Sequence, residues 1–358
     1  MESSASRRPV GILTFHNGPN FGGFLQAWHL REAIRKAGHP ATVVNYQGLA
    51  HYSAHQFRLR KPSASQIKGE VLNLLKSRPF RKPVAELSEL PFTVQPDQVP
   101  WSQFQTVVVG SDMVWDFQNR YFGSDPAFYA SHPSQAETRF VAYAPSCGPS
   151  PATAELPDHV RNGLKRFDQM AVRDENTADM AEKATGTRPP IVVDPTWLQN
   201  DPVVSYGKRP KRPYALVYGQ GMKLGNRSRI LGDYCRKRGL ELVAVTFPCS
   251  SADRRIHSIG PFEWIDLFRH AECVVTSTFH GLLYAIKFRK PLVFMERIAS
   301  RLKSQIAVDR CNLQGRTCPE GDDFSEAFLN EHLSNNEGIT IPDSWVQASR
   351  GYLEQALQ

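Results

Sequence analysis

Apolar residues come in short blocks along this chain, separated by polar or glycine-rich stretches. "PVGILT" (9–14), "ATVVN" (41–45), "QTVVVGSD" (105–112) and "RFVAYAPSCG" (139–148) hold apolar runs of strand length, and the apolar positions are consecutive rather than alternating. A strand covered on both faces reads this way, as in a parallel sheet flanked by crossover helices. Residues 24–37 carry helical spacing and stop against Gly38. "QMAVRDENTADMAEKATG" (169–186) passes from a strand into a helix, and "PPIVVDPTWL" (189–198) closes this half. The pattern lapses over "QNDPVVSYGKRPKRP" (199–213), which holds three prolines and four basic residues. It resumes with "YALVYGQG" (214–221), a helix around 228–237, "ELVAVTF" (241–247), "PFEWIDLFRHA" (261–271), "ECVVTS" (272–277), a further helix and "KPLVFM" (290–295). Residues 344–357 read as a last helix.

This alternation predicts an α/β protein of two Rossmann-like domains facing a cleft: 1–198, a linker at 199–213, and 214–358, with the last helix packing back on the first domain. A length of 358 residues agrees, because single cores stop growing at about 250–300 residues. In such sheets ligands sit at the carboxyl ends of the strands.

Composition narrows the setting. No run approaches the ~18–20 apolar residues that a bilayer span needs, and "MESSASRRPVGIL" has no apolar core of a signal peptide, so a cytoplasmic protein is expected. Six scattered cysteines without a C-x-x-C pair argue against zinc and against a disulfide framework. The formal charge of +8 suits an anionic partner. Part of it is local: Arg58, Arg60, Lys61, Lys68, Lys76, Arg78, Arg81 and Lys82 face only Glu70. With Ile67, Val71, Leu74 and Leu75 at helical spacing, segment 58–82 reads either as a solvated surface helix or as one lying on an anionic leaflet, peripheral at the inner membrane face. No nucleic-acid reader motif is present, and no nucleic acid is expected as a partner.

Several residues stand where strands end. His280 follows "ECVVTS" and, with Gly281, opens a helix, whose first turn favours anions. It can donate a proton or face a phosphate; equally it can cap the helix. Arg173 ends "MAV" and can grip a carboxylate or phosphate, or pair with Asp174 or Glu175. Asp112, after Ser111, and Asp194 are candidate bases or helix caps. The "FHNGPNFGG" loop (15–23) can cradle an anion, but it is not G-x-G-x-x-G, and the next strand ends in Asn45 rather than an acid. P-loop, zincin and nucleophile-elbow motifs are absent from the sequence.

Taken in order, "GILTFHNGPNFGGFLQAWHLREAIRKAGHPATVVNY" (11–46), "VVVGSDMVWD" (107–116), "RFVAYAPSCG" (139–148), "AVRDENTA" (171–178), "VVDPTWL" (192–198), "PFEWIDLFRHAECVVTSTFHGLLYAIKFRKPLVF" (261–294) and "SRLKSQIAVDRCNL" (300–313) resemble the polysaccharide pyruvyl transferase family. The resemblance implies a fold like that of the GT-B glycosyltransferases and transfer of the pyruvyl group of phosphoenolpyruvate to sugar hydroxyls, commonly as a cyclic ketal. Phosphoenolpyruvate enters as a co-substrate, with no other cofactor and no metal, and the acceptor is a glycan precursor that is lipid-linked if segment 58–82 meets the membrane. The resemblance assigns His280 to protonation or phosphate contact, and Arg173, Arg301 and Gly281 to the donor. It assigns Asp112 the role of base, and Asn17, Asn20, Gly22, Ser111 and Trp115 to the acceptor. Met113 departs from the family's usual glutamine, Thr278 from an arginine or serine, and Gly23 from an alanine or aspartate. Two other readings stay open: a glycosyltransferase using a nucleotide sugar, and a glycan-binding protein without activity.

Overall fold

The structure, a computed structural model, describes residues 8–55, 74–121, 123–220, 226–319 and 324–358. The chain forms two compact units, and each is built on a parallel sheet.

The first unit runs through His55, continues over Lys82–Gln199 and takes in Asp343–Gln358. Its sheet has five strands: β1 (Val10–Leu13), β2 (Ala41–Val43), β3 (Thr106–Val109), β4 (Phe140–Tyr143) and β5 (Phe167–Ala171), in the order β2-β1-β3-β4-β5. Strands β1 to β4 are buried at every position, which explains their unbroken apolar sequences. Helix α1 (Phe21–Lys36) starts at Asn20, whose side chain accepts from the Gly23 N–H. It ends with Arg35 and Lys36 in its last turn, where cations favour the dipole, and Gly38 then takes φ +88. Helix Glu175–Thr185 is capped by Asp174 and stopped by Gly186 at φ +79.

The run 189–198 is apolar but does not make a strand. Pro189, Pro190 and Pro195 remove ladder donors, and only the isolated bridge Val172↔Ile191 and a short 3-10 turn, Pro195–Trp197, form there. The final helix, Asp343–Ala356, lies on this unit: the Trp345 indole donates to Ile191 O at 2.9 Å and the Tyr352 hydroxyl to Ala142 O at 2.9 Å.

The second unit takes in residues 200–342. Its strands are β6 (Tyr214–Tyr218), β7 (Glu241–Val245), β8 (Arg254–Ile256), β9 (Cys273–Thr276), β10 (Leu292–Met295) and β11 (Thr317–Cys318), in the order β11-β10-β9-β6-β7-β8. Residues 200–213 are held on this unit. Asp201 pairs with Lys287 at 2.9 Å, and Arg209 pairs with the buried Asp266 at 2.9 Å. Of the basic segment 58–82, residues 58–73 fall outside the described ones. Leu74 and Leu75 are exposed, and the Ser258 hydroxyl donates to Leu75 O at 2.9 Å. Among the described residues no helix is long and apolar enough to cross a membrane.

Candidate functional site

In the first sheet β1 lies between β2 and β3, so the chain leaves β1 toward one side and β3 toward the other. At such a switch point the loops that follow the two strands diverge and leave a crevice. A pocket of about 290 Å3 occurs there. Its walls are the loop after β1 and the first turn of α1 (Phe15 to Asn20, Gly23, Phe24), Asp112 and Met113 after β3, and His51 from helix Leu49–His55. Its size is near the lower end of the ligand-pocket range, about 300–1,000 Å3.

The two loops are tied together from behind by Gln26, a fully buried side chain of α1. Its Nε2 donates to Thr14 Oγ1 (2.9 Å), Phe15 O (3.0 Å) and Gly23 O (2.8 Å), and its Oε1 accepts from the Ser111 N–H at 3.1 Å. Thr14 Oγ1 in turn donates to Ser111 O at 2.9 Å. Asp112 follows with φ +75, a conformation costing a non-glycine residue roughly 1–3 kcal/mol. Its carbonyl accepts from the Ser146 N–H and its Oδ1 from the Met113 N–H, both at 2.8 Å. The carboxylate is thereby fixed in the pocket wall.

On the other side, the Phe15 ring meets His51 edge-on at 4.9 Å. His16 is 2% exposed, with Nδ1 3.0 Å from Thr14 O and Nε2 3.3 Å from Asn45 Oδ1. Burial lowers its pKa below the ordinary 6.5, against weaker opposing effects of the Thr14 and Asn45 contacts. Asn17 Nδ2 donates to Asn45 Oδ1 at 3.3 Å.

Of the residues assigned from sequence, the pocket brings together Asn17, Asn20 and Asp112, and it does not include Gly22, Ser111 or Trp115. Trp115 belongs to the core, fully buried and donating to Phe128 O at 2.8 Å, so it cannot touch an acceptor. Gly22 is buried in the first turn of α1. Ser111 is fully buried, and its hydroxyl donates to Ala144 O at 3.1 Å. Arg173 is 2% exposed, and its Nη1 donates to Asp194 Oδ2 at 3.1 Å in a buried ion pair outside the pocket lining. The sequence alternatives for it, Asp174 and Glu175, are used elsewhere: Asp174 caps its helix and Glu175 pairs with Arg188. Sequence reasoning passed over His16 and His51. His16 stood in the quoted loop at a strand end, which was a usable signal, whereas His51 lies in a helix with no motif.

In the second sheet the switch point is between β6 and β9. The ends of these strands approach closely. Thr276 Oγ1 donates to Tyr218 O at 2.6 Å, Ser277 Oγ donates to Gln220 O at 3.1 Å, and a Cβ on Gly219 would overlap Ser277. Helix Phe279–Lys287 starts here, capped by Thr278, whose Oγ1 accepts from the Gly281 N–H at 3.1 Å. His280 lies in its first turn, half-buried and edge-on to Phe279 at 5.2 Å. Gly281 is required for packing, since a Cβ there would overlap Thr276 and Thr278, and its N–H already serves the cap. The helix is anchored below by the Tyr284 ring, 5.1 Å from Trp264, and by the Tyr284 hydroxyl, which donates to Asp201 at 3.1 Å. Arg301 lies in helix Ile298–Arg310 after β10, 68% exposed, with Nε 3.6 Å from Glu296. No cluster of His, Cys, Asp and Glu that could hold a metal ion occurs among the described residues.

The family model for polysaccharide pyruvyl transferase matches residues 20–297, most of the chain. The chain belongs to the polysaccharide pyruvyl transferase family. No curated protein matches its sequence. Among solved structures it is similar to Arabidopsis thaliana UGT89C1 complexed with UDP-L-rhamnose, at 10% identity and a TM-score of 0.53, covering 98% of this chain and 99% of that one. S. aureus MnaA with UDP is similar at 13% identity and a TM-score of 0.46, covering 96% and 91%. Glycosyltransferase SnogD from Streptomyces nogalater is similar at 12% identity and a TM-score of 0.41, covering 98% and 95%. The first of these likenesses shows the fold and nothing of the chemistry, and the fold is the GT-B-like α/β architecture that the sequence implied.

Two expectations follow. Arg173→Met and Asp194→Leu each remove one member of a buried ion pair and cost about 3–5 kcal/mol. The double variant costs less than either single one, which urea unfolding of the three variants will show. For His16, the unfolded chain takes up its proton near pH 6.5 and the folded chain only below that, so acid favours unfolding. The melting temperature of wild type relative to His16→Gln should therefore fall as the pH is lowered from about 7.5 to about 5.

Proposed function

We propose that the protein moves the pyruvyl group of phosphoenolpyruvate onto two hydroxyls of a sugar in a glycan precursor, forming a cyclic ketal and releasing phosphate. The observation that carries this reading is the first-unit pocket, where one fixed carboxylate, Asp112, stands among amides and aromatic rings in a chain of the pyruvyl transferase family. Amides and rings suit hydroxyls and the apolar face of a sugar, and the carboxylate suits removal of a hydroxyl proton.

In this reading the C3 methylene of phosphoenolpyruvate takes a proton, and C2, now cationic, is attacked by a sugar oxygen whose proton goes to Asp112. A second hydroxyl then displaces phosphate at C2. One proton gained at C3 balances the one lost from the first hydroxyl, and the second leaves with phosphate. His280, at a helix N-terminus, supplies the proton or faces the phosphate, with Arg301 as a second contact for the donor's negative charge. Arg173 supports the fold in this scheme. Phosphoenolpyruvate is the co-substrate and the reaction as written draws on no further cofactor. An acceptor linked to lipid at the inner face of the membrane fits the charge of segment 58–82. The rival reading, glycosyl transfer from a nucleotide sugar, draws on the shared architecture alone.

The test is phosphate release from phosphoenolpyruvate with a panel of lipid-linked and nucleotide-linked sugars. Wild type should release phosphate only with an acceptor, and Asp112→Asn and His280→Ala should each lose about 100-fold or more, the lower range for acid–base catalysis. Stabilisation by nucleoside diphosphates with no response to phosphoenolpyruvate would overturn the reading in favour of glycosyl transfer.

A further inference from the structure

Asn45 ends the run that contains β2, next to β1 at the first switch point, and it does not line the pocket. Its backbone is clamped: the Thr93 N–H donates to Asn45 O at 3.0 Å, and Tyr46 and Thr93 form a parallel bridge. Its side chain faces two fixed groups. Nδ2 lies 3.1 Å from Leu90 O, which can only accept, so the amide's NH2 end is set toward Leu90 and its oxygen toward Asn17. That oxygen accepts from Asn17 Nδ2 at 3.3 Å and lies 3.3 Å from His16 Nε2. His16 stands between two acceptor oxygens, Thr14 O at Nδ1 and Asn45 Oδ1 at Nε2, and a neutral ring donates to only one of them. Asn17 faces the same acceptor oxygen, so its NH2 end is the one turned toward Asn45 whichever nitrogen of His16 holds the proton.

We infer that Asn45 is a positioning residue for the acceptor sugar, one that holds the Asn17 amide with its NH2 end turned back and its oxygen toward the pocket. This rests on the pyruvyl transfer reading for its ligand, but the hold of Asn45 on Asn17 does not. The polarity of the Asn17 amide is then fixed before any ligand arrives. The wall at Asn17 accepts a hydrogen bond from a sugar hydroxyl and does not donate one. Pre-setting this orientation spares the bound state the cost of ordering the side chain.

The test compares Asn45→Ala and Asn45→Asp with wild type. The aspartate keeps the size and an oxygen for Asn17 but loses the donor to Leu90 O, and the alanine removes all of these. With the panel sugar that supports phosphate release, Asn45→Ala should raise the KM for the sugar about tenfold, the order expected for one oriented hydrogen bond, with the KM for phosphoenolpyruvate unchanged. Asn45→Asp should restore part of the difference. Equal changes in both KM values, or none in the sugar's, would overturn the inference, with melting temperatures near wild type showing that the variants fold. A second readout needs no activity. The side-chain NH2 signal of Asn17, assigned by its loss in Asn17→Ala, should lie apart from free asparagine signals in 15N-labelled wild type and in Asn45→Asp, and move to them in Asn45→Ala. An unmoved signal in Asn45→Ala also overturns the inference. If wild type releases no phosphate with any sugar, the functional reading fails and the amide signal alone decides the role of Asn45.

Discussion

One buried side-chain amide, that of Gln26, sets the geometry on which the first unit's pocket depends. Parallel strands feed their loops outward at a switch point, and nothing in the ladder itself holds the loop after β1 to the loop after β3. Gln26 supplies that tie, donating to the first loop and accepting from the Ser111 N–H of the second. Its position on α1 is fixed in turn by the Asn20 cap. The amide has no water to fall back on at zero exposure, so each of these bonds is retained or its partner is left buried and unpaired. The left-handed backbone of Asp112 follows directly after this tie, and so does the place of its carboxylate.

The same region is braced by a buried ion pair. Asp194 takes Nη1 of Arg173, Thr196 donates to its other oxygen at 2.8 Å, and the Ser111 hydroxyl stands 3.4 Å away. A buried ion pair of this kind adds little net stability, but losing one member is costly, so it serves to specify the arrangement. The second unit ties its strand ends with hydroxyls, and the helix that follows is also held through the Asp201–Lys287 pair. Threonine and serine hydroxyls stitch the ends of β6 and β9, glycines allow the close approach, and a cluster of Tyr218, Trp264 and Tyr284 carries the helix that begins beside His280.

The strands were legible in the sequence because both faces of each sheet are covered, which turns β1, β3, β6 and β9 into unbroken apolar runs. The same rule fails at the edges. Arg254–Ile256 is short, charged and only partly buried, and Thr317–Cys318 is two residues long, so neither β8 nor β11 leaves a signal. It also fails where prolines interrupt an apolar run, as at 189–198. Of the site, strand-end positions were readable, which is how Asp112 and His280 came into view, whereas Asn17 and Asn20 entered through the family resemblance. Which of those positions turn inward was not. Arg173 and Trp115 occupy motif positions like the others, but the partners that bury them, Asp194 and Phe128, come from sequence-distant segments. Asn45 drew notice only for not being an acid, and its meaning depends on Leu90, 45 residues away.

The central claim is that the pyruvyl carbon skeleton ends up on the sugar with a proton gained at C3. The most direct measurement is 13C NMR of the product made from [2-13C]phosphoenolpyruvate and an active acceptor in deuterated water. The account predicts a labelled quaternary carbon bonded to two sugar oxygens, beside a methyl group carrying one solvent deuterium. Phosphate released with the label recovered as free pyruvate, or a sugar product without the label, would contradict it.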